Sequence, residues 1–171
     1  MSTNEELQEH AQEAKEPFDR KVAVTMAIIA AALATVSVGA HIFANEELLL
    51  QQRASDQWAY YQAKSARRYA SDVARDTLKV MQGAELSEKY AKNAERYEKE
   101  GEEIQKEARG LEEESKRRGK QSFRMEIGEV FLEIGIVFAS LAILSKKPLV
   151  WYASMGSAAI GLALALTAAA P

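Results

Sequence analysis

Hydrophobic and polar positions in this chain separate into long blocks rather than alternating. From Val22 to Ala44 the run VAVTMAIIAAALATVSVGAHIFA holds no formally charged residue unless His41 is protonated. At 1.5 Å per residue it reaches about 34 Å, enough to cross the roughly 30 Å hydrocarbon layer of a bilayer. It is longer than the apolar core of a signal peptide, and the polar leader before it is acidic, so the pattern predicts a first transmembrane helix over 22–44. Two further apolar blocks follow at 124–145 and 149–170, the former interrupted by Glu126, Glu129 and Glu133. Only SKKP links them, with Pro148 placed to begin the last helix where its missing N–H costs nothing.

Between Asn45 and Ser122 the block is rich in charged helix formers, and no proline lies between residues 18 and 147. Leu86, Tyr90, Ala94, Tyr97, Gly101, Ile104, Ala108, Leu111 and Ser115 recur at steps of three and four, the narrow seam of a coiled coil. A looser seam precedes it: Leu50, Ala54, Trp58, Tyr61, Tyr69, Val73, Leu78 and Met81. QGAELS separates the halves, with Gly83 suited to end one helix and Glu85 or Ser87 to begin the next. The expected fold is an all-α membrane protein: a polar acidic segment over 1–21, three transmembrane helices, and a long antiparallel coiled-coil hairpin over 45–122 between the first and second, turning near 83–85.

The stretch RASDQWAYYQAKSARR places an aromatic cluster too far beyond the first span for an ordinary interfacial belt. Folding the hairpin about residue 84 sets Trp58 near Leu111, Tyr61 near Ala108 and Val73 near Ala94, larger side chains against smaller ones. Trp58, Tyr60, Tyr61, Leu111 and Ala108 are therefore read as hairpin packing, with an oligomer or partner contact as the alternative.

The order EHAQEA, then VAVTMAIIAAALATVSVGAHIFANEELLLQQRASDQWAYYQAKS, then a charged helical stretch and two apolar segments resembles a family of small bacterial membrane proteins catalogued as domain of unknown function four-three-three-seven. Its most specific part is Ser55-Asp56-Gln57-Trp58-Ala59-Tyr60-Tyr61-Gln62-Ala63-Lys64. The resemblance implies a bacterial membrane protein and brings no catalytic residues with it.

The chemistry on offer is sparse. With no cysteine there is no disulfide, no thiolate catalysis and no cysteine-based metal site. Neither a phosphate-cradling glycine loop nor a nucleophile constellation is present, so no enzyme, cofactor or metal site is expected. Glu126, Glu129 and Glu133 fall within about 60° of one helix face. Ionisable groups in a span are costly and rarely idle, so Glu133 above all reads either as a proton or cation site or as hydrogen-bonding glue between helices. His41 would sit at the depth of Glu126 or Glu129, where a relay or an interhelical hydrogen bond is expected. Ala153, Ser157, Gly161, Ala165 and Ala169 form a smooth stripe for close helix packing.

Lys116, Arg117, Arg118, Lys120 and Arg124 are read as headgroup contacts rather than a nucleic-acid surface. They favour a cytoplasmic hairpin, against Arg20, Lys21, Lys146 and Lys147, which pull the other way. The expected function is a non-enzymatic, membrane-anchored coiled-coil scaffold or accessory subunit of the bacterial inner membrane. Its expected partners are the lipid bilayer, further copies of itself and a protein at the hairpin, with no nucleic acid. The alternative is a small oligomeric proton or cation channel or transporter using the Glu126, Glu129 and Glu133 face.

Overall fold

The computed structural model describes residues 17–169; the acidic segment 1–16, Ala170, Pro171 and the side chain of Ala169 lie outside the described residues. The described chain is helical throughout: α1 Pro17–Val80, α2 Ala84–Ser145 and α3 Pro148–Ala169. All three are long and apolar enough to cross a membrane. The helices divide between two compact units, residues 1–44 with 119–171, and residues 45–118. Both α1 and α2 contribute to each.

In the first unit, α1 buries Val22, Ile29, Val36 and Ala40, and α2 buries Gly128, Leu132, Gly135, Ala139 and Ala142. Those steps of three, four and seven keep one stripe of each helix facing its neighbours. Leu132 packs with Ile29, Val36, Ala158 and Ala165, while Val22, Ala139 and Ala142 gather Phe18, Met26 and Trp151 around them. Where α2 meets α3 the backbones themselves come together. A Cβ on Gly161 would lie 2.5 Å from the Gly128 carbonyl oxygen, and one on Gly128 would lie 2.7 Å from that of Gly161. Along this contact Ser154 Oγ donates to the Gly135 carbonyl at 2.7 Å and Ser157 Oγ to that of Phe131 at 2.6 Å. Arg124 Nη1 reaches the Thr167 carbonyl in the last turn of α3, where a cation complements the helix dipole.

The small-residue stripe is thus rotated from the expected one. Ser157, Gly161 and Ala165 are buried as the spacing suggests, but Ala153 is exposed, and Ser154, Ala158 and Ala168 complete the face instead.

In the second unit the two helical arms run antiparallel. Their link is Met81–Gln82–Gly83, centred two residues before the expected fold at 84. The Gly83 N–H bonds to the Leu78 carbonyl at 2.9 Å and the Gln82 N–H to that of Lys79 at 3.3 Å, the paired closing bonds of a Schellman motif. The left-handed residue is Gln82, with φ 59°, and not Gly83. Gly83 serves the turn differently, because a Cβ there would press on Leu78 Cδ2 at 3.3 Å. Ser87 does not cap α2; its hydroxyl crosses to the Arg75 carbonyl at 3.2 Å, while Glu85 supplies the acid of the first turn.

Because Gly161 has no room for a methyl group, Gly161→Ala should lower stability by about 1–3 kcal/mol through overpacking. Gly110 has nothing within 4 Å of a built Cβ. Gly110→Ala should therefore raise stability by about 0.5–1 kcal/mol through helix propensity alone. Thermal unfolding of both variants followed by circular dichroism checks the opposite signs.

Candidate functional site

Two groups of residues carry the chemistry that the sequence singles out, one in each unit. In the antiparallel pair, Trp58 is half-buried and donates its indole N–H to Glu112 Oε1 at 2.8 Å. Tyr61 meets the Trp58 ring edge-on at 5.7 Å and lies against Gly101 of the other arm. Ala108 is fully buried and Leu111 half-buried on that facing surface. Tyr60 points to the flank of the seam, and its ring lies 5.2 Å from Lys64 Nζ.

Lys64 is the centre of this cluster. Its ammonium donates to Glu100 and stands between the rings of Tyr60 and Tyr97, the latter at 5.5 Å, with the side chain only 12% exposed. Arg96 also lies over the Tyr97 ring, at 5.1 Å, and approaches Glu100. Hydrogen bonding to Glu100, and next to Tyr60, holds the Lys64 ammonium above its ordinary range, and the same bond holds the Glu100 carboxyl below its own. A cation between aromatic faces with a carboxylate beside it is a charge clasp. It fastens one arm to the other.

From Lys64 toward the turn the seam departs from the expected positions. Tyr69 and Val73, read as seam residues, are 66% and 67% exposed. Lys64, Arg68, Ser71 and Arg75 take the inner positions, with Arg68 paired to Glu98 at 3.0 Å across the arms. Long basic side chains cover the interface with their stems and keep their charges at its edge. At the other end Ser115 Oγ donates to the Glu47 carbonyl and Arg118 pairs with Glu46. A cleft of about 430 Å³ opens there, lined by Gln51, Ser55, Trp58, Glu112 and Lys116 among others. Tyr69, Val73 and the 85% exposed Val80 share the outer face of their arm as an exposed, mostly apolar stripe, with the Arg68 guanidinium 5.9 Å from the Tyr69 ring.

In the other unit the three glutamates occupy the flank of α2 beside α1. Ser122 at one end of that stripe reaches the Ala40 carbonyl at 3.3 Å, and Ser140 at the other reaches Met26 Sδ at 3.6 Å. Between them Glu126 is exposed and accepts a hydrogen bond from Ser122 at 2.9 Å, Glu129 is half-buried, and Glu133 is exposed. Neither Glu129 nor Glu133 makes a hydrogen bond or ion pair within the described residues. His41 is exposed and likewise does not join them. No group of three metal-ligating side chains occurs among the described residues.

A family model described as a domain of unknown function (DUF4337) matches residues 18–171, which include these helices and the aromatic cluster. The chain belongs to the DUF4337 family. No curated protein and no solved structure matches it. The DUF4337 match extends over both units, so the Lys64 clasp and the glutamate flank both lie inside the family's domain.

What sequence reading missed was Lys64. The signal was the Tyr60–Lys64 spacing of one turn, with Tyr97 and Glu100 one turn apart on the facing arm.

Glu100 is depressed and Lys64 raised, so the pair's contribution is full only where both are charged. It is lost as acid protonates Glu100 below the ordinary glutamate range of about 4, and as strong alkali discharges Lys64 above about 10.5. The difference in melting temperature between the parent chain and Lys64→Met should be largest near neutral pH and shrink in both directions. Glu100→Gln should add little to Lys64→Met if the two form one clasp.

Proposed function

We propose that this DUF4337 protein is a non-enzymatic, membrane-anchored helical scaffold that self-associates. In this reading α1, α2 and α3 each cross the bacterial inner membrane, and residues 45–122 form a coiled-coil hairpin in the cytoplasm. The observation that carries the proposal is the outward, unpartnered position of Glu133. Within a bilayer an ionised carboxylate facing hydrocarbon costs about 2.5–3.5 kcal/mol on insertion scales. A second copy that covers it with polar groups removes that cost, and polar contacts between spans are worth about 0.6 kcal/mol or more each. The exposed stripe of Tyr69, Val73 and Val80 supports an added role in docking a protein partner.

The same face supports a second reading. Glu126, Glu129 and Glu133 brought together from several copies would line a polar path for protons or monovalent cations. One copy offers only a flank, so this reading also requires association.

In nanodiscs holding the full chain, native mass spectrometry should find more than one copy. Glu133→Leu should weaken that association and Glu133→Gln, which still hydrogen-bonds, should keep it. A strictly monomeric chain would overturn self-association. In liposomes the scaffold predicts no proton or cation flux, whereas flux that disappears in Glu133→Gln would make the assembly a conduit.

Orientation is tested at Gly110, which is exposed and has open space around it. The chain has no cysteine of its own, so Gly110→Cys gives a single label site. An impermeant maleimide should label it only after the cells are opened; labelling of intact cells would place the arms outside.

A further inference from the structure

A groove in the first unit has walls from two helices and a charge that nothing within the described residues neutralises. Pro17, Arg20, Lys21, Val24 and Thr25 of α1 and Trp151 of α3 line about 690 Å³. The indole is fixed in place: its N–H donates to Thr25 Oγ1 at 3.2 Å, and Phe18 meets it edge-on at 6.3 Å. Thr25 in turn donates to the Lys21 carbonyl at 2.9 Å. Arg20 and Lys21 are exposed, and their side chains make no ion pair or hydrogen bond among the described residues. The nearby acid, Asp19, is 13% exposed and already engaged with Lys146. The rim is therefore cationic, while Val24 and the indole face make the wall below it apolar.

Cations above an apolar wall, at the residue where the uncharged run begins, match one class of ligand: a phosphate joined to an acyl chain. We propose that this groove binds an anionic phospholipid, its phosphate held by Arg20 and Lys21 and its upper acyl chain lying against Val24 and Trp151. The proposal rests on the membrane reading above. The sequence Glu13-Ala14-Lys15-Glu16 before Pro17 offers charge of the right sign but no large apolar side chain to match the lower wall.

The chain has two tryptophans, so Trp58→Phe leaves Trp151 as the single reporter. The full-length Trp58→Phe protein would be placed in phosphatidylcholine vesicles containing a rising mole fraction of either brominated phosphatidylglycerol or brominated phosphatidylcholine. The brominated anionic lipid should quench Trp151 at a lower mole fraction, with a preference of about fivefold for each cation. Arg20→Gln with Lys21→Gln should abolish that preference while leaving quenching by brominated phosphatidylcholine unchanged. Equal quenching by both lipids overturns the site and leaves the membrane reading standing; no quenching by either overturns both. A preference that emerges only with Glu13→Gln and Glu16→Gln assigns the groove to the acidic segment and overturns the lipid. Native mass spectrometry of the unaltered chain gives a second measurement: phosphatidylglycerol should be retained over phosphatidylcholine, and the Arg20, Lys21 double variant should retain both alike.

Discussion

The first unit depends on a contact that tolerates no side chain. Gly128 and Gly161 approach so closely that a Cβ on either would collide with the other's carbonyl oxygen. With both absent, α2 and α3 lie backbone to backbone, which brings the Ser154 and Ser157 hydroxyls onto main-chain carbonyls that a wider spacing would put out of reach. The same contact fixes the rotation of α2. Once Gly128, Leu132, Gly135, Ala139 and Ala142 face inward, the glutamates, about 130° away around the helix, have no choice but an outer flank. Their exposure follows from glycine packing on the other side of the helix.

The second unit solves its packing differently. Its seam is apolar from Ala54 to Tyr61, facing Ile104, Ala108 and Leu111; from Lys64 toward the turn the first arm contributes mostly polar residues, against Ala94 and Tyr97 of the other. Exposed ion pairs contribute little individually, so the polar half draws its cohesion from stem packing, the Lys64 clasp and the Schellman bonds that close the turn. The left-handed Gln82 costs about 1–2 kcal/mol that glycine would not. The half nearer the turn is consequently the weaker one, and local opening should start there.

Much of this was legible from spacing. The helical blocks, the proline that opens α3 and the inward positions from Ala94 to Ser115 follow from periodicity and from where proline and glycine fall. Rotation and register were less legible. Tyr69 and Val73 suggest seam because they are apolar, yet the helical repeat carried through from Tyr61 selects Lys64, Arg68, Ser71 and Arg75, and geometry outweighs polarity. Ala153 continues a four-residue step, but a straight helix drifts about 40° per such step, and Ser154 replaces it. The clasp could not be read from one arm, since the carboxylate and the second ring come from the other.

The glutamate flank and the stripe of Tyr69, Val73 and Val80 both remain exposed after each unit has satisfied its own seam. They have opposite polarity for the surroundings that the proposed topology gives them. A carboxylate facing hydrocarbon and an apolar stripe facing water are each unfavourable in a solitary chain, and for unrelated reasons. Association between spans relieves the first and docking on the arm relieves the second. Neither requires a reacting group.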